Sequence, residues 1–297
     1  MTLCGVAGSG KSTLINTLVT AIRKITGKTN SVYVCGPTGS AAFNAGGETC
    51  HQLFNIQGKL KNSQLSPQAT KTLISKLENT VALIIDERSM ISALLFGTME
   101  AYSRQAAFKG TKEKQSWGGL PIVIVVGDDH QLPSIDEGAF YCFEKRTQRL
   151  RTKVEDLFIQ NGMDLFKEFG KDVMTLGPSQ RVLEGQVKLL HILNGMRGSS
   201  EQSLSLEDAE YLCSFHIDNK EHFNQQDKEQ IKKDALYLFA NVEPKNEHNN
   251  NALKEINTQD NPVAIIRAQT MKYKDNTRSS SMGHYDNERN PAMINIS

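Results

Sequence analysis

The sequence is short of several things, and each shortage excludes a class of protein. Among 297 residues there is no apolar run of membrane-spanning length; the densest, 122–126, is strand-sized. Five cysteines (Cys4, Cys35, Cys50, Cys142, Cys213) are an odd number, widely scattered and without a C-x-x-C pair. That argues against a zinc site or a disulfide framework and for reduced thiols in an intracellular compartment. The seven histidines are equally dispersed. Net charge of one sign is missing too: 34 Lys and Arg against 33 Asp and Glu leave +1, so bulk electrostatics neither supports nor excludes a nucleic-acid partner. Met1 leads within four residues into the first motif, and no signal or transit segment is expected.

What is present is an alternation of strands and helices. Short β-rich runs at 2–5, 32–35, 81–86, 122–127 and 172–176 are separated by helical patterns at 11–25, 67–77 and 91–104. Near-continuous apolar runs such as Val81-Ala82-Leu83-Ile84-Ile85 read as central strands buried on both faces, and the alternation implies an α/β fold with a parallel sheet. Ligands of such sheets sit at the carboxyl ends of the strands. A second pattern follows, with helices at 184–197, 206–215 and 244–257 and a strand at 235–239. The lysine-bearing stretch 109–119 reads as a solvated connection rather than a DNA-binding patch, and the Ser- and Asn-rich end of the chain as a poorly ordered tail.

The chemistry begins at Gly5-Val6-Ala7-Gly8-Ser9-Gly10-Lys11-Ser12, an ungapped G-x-x-x-x-G-K-[ST] between a strand and a helix. Glycines let successive N–H groups curl around phosphates; Lys11 reaches the β- and γ-phosphates and the Ser12 hydroxyl binds Mg²⁺. Thr13 opens the helix behind it. The run 81–85 then ends in Asp86-Glu87, which places Asp86 beside the metal and Glu87 beside an attacking water as general base. Gln131, in Gly127-Asp128-Asp129-His130-Gln131-Leu132-Pro133, follows the next strand and can sense the γ-phosphate, although an Asx-rich turn closed by Pro133 explains the spacing equally well. After the second strand, Thr38 and Ser40 offer hydroxyls to a sugar–phosphate backbone; an ordinary strand–turn–helix junction accounts for them as readily.

The order of these motifs is more specific than any one of them. Gly-x-Ala-Gly-Ser-Gly-Lys-Ser, then Pro37-Thr38-Gly39-Ser40-Ala41-Ala42-Phe43-Asn44 with Gly46-Gly47-Glu48-Thr49-Cys50-His51, resembles motifs I and Ia of superfamily-one DNA helicases. Ile84-Ile85-Asp86-Glu87-Arg88-Ser89-Met90 is similar to motif II, and Trp117-Gly118-Gly119 with the Gln131 segment to motif III. The match is to the Pif-type branch, related to RecD. The resemblance implies a P-loop NTPase made of a first RecA-like ATP-binding domain at 1–170, a partial second one at 171–270 and a tail at 271–297. It implies ATP as nucleotide, with the segment from Gly5 to Thr13 as its cradle, and Mg²⁺ at Ser12 and Asp86. Catalysis falls to Lys11, Glu87, Gln131 and Arg181, the last in Leu176-Gly177-Pro178-Ser179-Gln180-Arg181, reaching the γ-phosphate; from composition alone Arg181 is a surface arginine. Thr38, Ser40, Thr49 and His51 would line the path of single-stranded or fork DNA, with His51 equally readable as an ordinary surface or core histidine. A 5′-to-3′ helicase of repair, recombination or telomere maintenance is implied, monomeric and away from membranes, in the nucleus or mitochondrion of a eukaryote; a nucleotide-binding remnant without motor activity is the alternative. Arg88 stands where the family usually has an aliphatic residue, and Ser134 where it has a second proline, which puts local coupling rather than chemistry in question. An upstream adenine-recognising glutamine segment and motifs V and VI are not found in the sequence, and the second motor domain is expected to be partial.

Overall fold

A computed structural model describes residues 1–56, 64–107, 115–134, 152–181, 186–197, 204–219, 223–257, 263–266 and 292–295. They fall into two compact units, Met1–Asp208 and Ala209–Ser297.

The first unit is a six-stranded, wholly parallel sheet. Its strands are β1 (Thr2–Cys4), β2 (Val32–Gly36), β3 (Glu48–Thr49), β4 (Ala82–Ile85), β5 (Ile122–Gly127) and β6 (Val173–Thr175), in the order β3-β2-β4-β5-β1-β6. The runs read as strands are strands because both their faces are covered. Leu83, Ile85 and Val125 point into one apolar cluster, while Ala82, Ile84, Ile124 and Val126 point into the other, the period of two that a pleated strand imposes. Helix α1 (Lys11–Thr26) covers the second face through Ile15, Leu14, Leu18 and Ile22. The first face is covered by α4 (Pro67–Leu77), α5 (Ala93–Ala106) and α6 (Lys153–Phe169), with the short helices α2 (Gly39–Asn44) and α3 (Cys50–Leu53) near the β2 end of the sheet.

Helices α5 and α6 cross closely. A Cβ on Gly97 would run into the Phe158 carbonyl, and one on Gly162 into the Ala93 carbonyl, so the backbones meet where neither residue has a side chain. Beside the crossing, buried Glu100 accepts from Asn161 Nδ2 at 2.8 Å and from the Trp117 amide at 3.2 Å, and pairs with Arg104 at 2.9 Å. The segment read as a solvated connection therefore ends differently: residues 108–114 lie outside those described, but Trp117 is 3% exposed and packs on Phe96 in the core.

Two other expectations are corrected. The sequence pattern puts a strand near 172–176 at the start of a second domain beyond residue 170; β6 instead hydrogen-bonds in parallel with β1 and completes the first sheet, and the first unit continues through α7 (Val187–Met196) to Asp208. Residues 235–239 are not a strand. A strand exists by its ladder, and no described strand lies alongside; Leu236 and Leu238 are 88% and 89% exposed.

The second unit contains α8 (Leu206–Ser214) for the most part, α9 (Gln225–Asp234), α10 (Val242–Ile256) and an antiparallel pair, β7 (Val263–Ile266) with β8 (Ala292–Asn295). Apart from β8, the proposed tail at 271–297 lies outside the described residues.

Candidate functional site

All the loops that carry chemistry leave the carboxyl edge of the first sheet. The first is the turn between β1 and α1. Gly8 and Gly10 adopt left-handed backbone, φ 79° and 93°, which side-chain-bearing residues disfavour, and Gly5 donates its N–H to the Gly127 carbonyl at 3.1 Å, fixing the loop to β5. Helix α1 begins without a side-chain cap and without an acidic residue in its first turn. Its leading N–H groups are thereby left for an anion, where the helix dipole also favours one. Lys11 Nζ donates back to the carbonyls of Gly5 (2.8 Å) and Val6 (3.1 Å), so its ammonium lies inside the loop. Ser9 Oγ is buried and has no partner among the described residues. Uncapped amides, an inward-held ammonium and an orphan hydroxyl fit a polyphosphate. Ala7 is exposed at the loop tip, and Ser12 and Thr13 are exposed on the first turn of α1.

Next to this loop, β4 delivers Asp86 and Glu87. Asp86 is 9% exposed and its Oδ1 accepts the Glu87 N–H at 2.9 Å. That bond accompanies an unusual backbone at Glu87, φ 54° and ψ 52°, a left-handed conformation that costs on the order of 1–3 kcal/mol in a residue with a side chain. Burial pushes the Asp86 carboxyl above its ordinary pKa, against the Glu87 N–H and the Lys11 charge. Glu87 is raised as well, by burial first and then by the Asp86 charge, with Lys11 opposing. The strands that lead into Lys11 and into Asp86-Glu87 end on the same edge of the parallel sheet, and the Lys11 charge favours ionisation of both carboxylates. Among the described residues no three His, Cys, Asp or Glu side chains cluster as a metal site; Ser12 and Asp86 suit Mg²⁺, a cation that keeps water and takes phosphate oxygens to complete its shell.

The loop after β5 brings Gln131 to the same edge. Its Nε2 donates to Asp128 Oδ2 at 3.4 Å and its N–H to the Asp128 carbonyl at 3.1 Å. Asp128, 3% exposed, is held by both Nη atoms of Arg197, at 3.0 and 2.7 Å, and accepts the His130 N–H at 3.2 Å. Burial opposes its ionisation, but Arg197, His130 and Gln131 together hold the carboxyl below its ordinary pKa. Arg88 pairs its Nε with Asp129 Oδ1 at 2.9 Å, and its guanidinium carbon lies 4.9 Å from the centre of the Phe166 ring. Sequence reasoning singled out Arg88 only as a departure and gave Asp128 and Arg197 no role. Two adjacent carboxylates directly after a buried strand were the available signal, since buried acids demand partners.

Arg181 arrives from the far side of the P-loop. Gln180 donates its N–H to the Gly8 carbonyl at 2.9 Å, and a Cβ on Gly8 would lie 2.6 Å from Arg181 Cγ and 2.7 Å from Ser179 Oγ. The expected cation and the expected cradle are therefore neighbours; residues 182–185 lie outside those described.

Thr38, Ser40, Thr49 and His51 group at the β2–β3 end of the sheet, away from Lys11. Thr38 caps α2 by accepting the Ala41 N–H at 3.2 Å and lies 3.3 Å from the Ser40 hydroxyl. Thr49 caps α3 in a reciprocal box with Gln52, and β2 pairs with β3 at Gly36 and Thr49. Both threonine hydroxyls thus have structural partners, while Ser40 and His51 are exposed. Phe43 on α2, 83% exposed, is an aromatic that sequence reasoning passed over.

A family model described as PIF1-like helicase matches residues 1–167. The ATP-dependent DNA helicase RRM3 of Saccharomyces cerevisiae is 34% identical over 148 residues, covering 47% of this chain and 20% of that protein. The ATP-dependent DNA helicase Pif1 of Bdellovibrio bacteriovorus is 36% identical over 136 residues, 45% of this chain and 29% of that one. Among solved structures, Bacteroides Pif1 bound to ssDNA has a TM-score of 0.51 at 25% identity over 80% of this chain and 53% of that chain. The Pif1 helicase from Candida albicans has a TM-score of 0.58 at 22% identity over 90% of this chain and 52% of its own, a likeness of fold. The chain spans about a fifth of the length of the first curated relatives it matches. The strand order, the P-loop with its Asp86-Glu87 partner and the match across more than half of the residues agree on one conclusion: the chain belongs to the PIF1-like helicase family.

Proposed function

We propose that this chain carries the ATP-hydrolysing part of an ATP-dependent DNA helicase that moves on single-stranded DNA. The observation that carries the reading is the convergence of Lys11, Asp86, Glu87 and the Arg181 segment on one phosphate-shaped loop. The amides from Gly8 to Thr13 bind the β- and γ-phosphates, and Lys11 exchanges its loop carbonyls for phosphate oxygens. Ser12 and Asp86 would hold Mg²⁺, which would supply positive charge at those oxygens. Glu87 takes a proton from water as its oxygen attacks the γ-phosphorus; the bond to the bridging oxygen breaks, and ADP and inorganic phosphate result. Gln131 orients that water and distinguishes ATP from ADP, and Arg181 stabilises the charge that develops.

Single-stranded or fork DNA is the proposed partner, at the β2–β3 end where Ser40 and His51 offer phosphate contacts and Phe43 a stacking face. The direction, 5′ to 3′, and a role in repair, recombination or telomere maintenance rest on the family resemblance alone, as do a nuclear or mitochondrial location and a monomeric state. Among the described residues no helix is long and apolar enough to cross a membrane. The same motifs serve a second reading, nucleotide binding without a productive motor, because a loop that holds a triphosphate need not turn it over.

ATP turnover with and without single-stranded DNA separates the two. The motor reading expects DNA-stimulated hydrolysis that falls by about 10²–10⁴-fold in Glu87→Gln and collapses in Lys11→Ala. Tight Mg²⁺-ATP binding with negligible, DNA-indifferent turnover selects the other.

A further inference from the structure

The Asp128–Arg197 pair has more in it than a structural clasp needs. Asp128 is the first residue after β5 and Arg197 the first after α7, 69 positions later. The two guanidinium nitrogens lie along the two carboxylate oxygens, the geometry that makes such pairs strong and directional. Yet the carboxylate is shared. Oδ2, which takes Arg197 Nη2 at 2.7 Å, also takes Gln131 Nε2, and Oδ1, which takes Nη1, also takes the His130 N–H. The side-chain amide of Gln131 is thus aimed by an anion that Arg197 orients. The loop is also tied down by Arg88 on Asp129, so Gln131 follows closely on two anchored residues.

We infer that Arg197 is a positioning residue for Gln131, acting through the Asp128 carboxylate and linking the γ-phosphate side of the site to helix α7. The inference rests on the reading of Gln131 as the group that distinguishes ATP from ADP. Without Arg197 the buried carboxylate keeps only its weaker donors and no longer sets one orientation for the amide. Lysine, a point charge without a fork, cannot restore the two-point hold. Movement of α7 would in turn alter what Gln131 reports.

The test is equilibrium binding of fluorescent ADP and of a fluorescent, non-hydrolysable ATP analogue to the full chain. Wild type is expected to prefer the triphosphate. Gln131→Ala and Arg197→Met should each lose that preference by about tenfold, and the double variant should be no worse than Gln131→Ala, because groups acting as one unit are not additive. Arg197→Lys should fall between wild type and Arg197→Met. ADP affinity should stay within about twofold throughout, a result that a merely structural role for Arg197 would not give. Retained preference in Arg197→Met, multiplied losses in the double variant, a parallel loss of ADP affinity, or no preference in the wild type overturns the inference. Failure of single-stranded DNA to stimulate turnover would sink the motor reading while leaving these ratios to be judged on their own.

Discussion

Arg88 Nε lies 2.9 Å from Asp129 Oδ1, so the residue after Glu87 is joined to the loop that bears Gln131. The arginine side chain is 6% exposed and the aspartate 35%. At a position expected to be aliphatic, the chain has placed a buried cation and supplied it with a carboxylate and an aromatic face.

Removing one partner should cost more than removing both. Asp129→Asn leaves a buried guanidinium short of its counter-charge and is expected to destabilise by about 3 kcal/mol, whereas Arg88→Met with Asp129→Leu should recover much of that loss. Urea unfolding of Asp129→Asn, Arg88→Met and the double variant measures it; a loss in the double variant equal to the sum of the single losses would show that the pair is not coupled.

The Glu87 carboxyl, raised by burial and by Asp86, should titrate in the nucleotide-free protein above the value of about 4.3 of a free glutamate. An acid whose pKa is raised by folding favours the folded state while protonated and penalises it once ionised. At pH 7, above both values, the penalty is in force. Glu87→Gln is therefore expected to raise Tm by about 1–3 °C at pH 7 while removing activity, with the gain fading as pH falls through the raised value. Carbon NMR of the carboxyl and thermal melts across pH test the two halves; a Glu87 midpoint below that of free glutamate refutes the site's electrostatics.

Asp128 has the opposite sign. Its carboxyl is held below the ordinary value, so its contribution to stability is complete above the unfolded-state pKa near 4 and is lost as pH falls through the lower, folded one. Asp128→Asn should destabilise at pH 7 and show a shallower loss of stability on acidification than wild type, read from urea midpoints between pH 7 and 3.

Gly8→Ala should fail at the phosphate site. The methyl would be strained at φ 79° and would press on Arg181 Cγ and Ser179 Oγ. At least a tenfold weakening of ATP-analogue binding, about 1.4 kcal/mol, is expected, with the melting temperature changed far less than by Gly97→Ala. The latter drives a methyl into the Phe158 carbonyl at the α5–α6 crossing, an overpacking cost of about 1–3 kcal/mol. Binding titrations and melts on both variants distinguish the two kinds of glycine.

The legible parts of the site were the local ones. Gly5–Ser12 and Asp86-Glu87 are contiguous, and each joins a strand end to the next element, so their chemistry can be read without knowing what they touch. The pairing of Asp128 with Arg197 could not be read that way, because two side chains 69 residues apart meet only when the sheet and α7 are in place. The strand near 172–176 is legible as a strand but not as part of the first sheet: an apolar run of that length reads alike whether it opens a sheet or finishes one, and the hydrogen bonds to β1 decide. Residues 235–239 have the composition of a strand, yet composition does not provide a neighbour, and they remain irregular chain with two leucines in solvent. Thr38 and Thr49 show the reverse difficulty, since a hydroxyl suited to a phosphate is equally suited to a helix cap, and here each has a cap to make.

Lys11 reaches back to the Gly5 and Val6 carbonyls, so its ammonium already has partners on its own chain. On the proposed reading, a triphosphate would compete with two carbonyls for a single cation, and binding would be a swap of partners that leaves no charge stranded at either end. The loop would thereby give up a little affinity for reversibility. A departing product would hand the ammonium back to the Gly5 and Val6 carbonyls of its own chain.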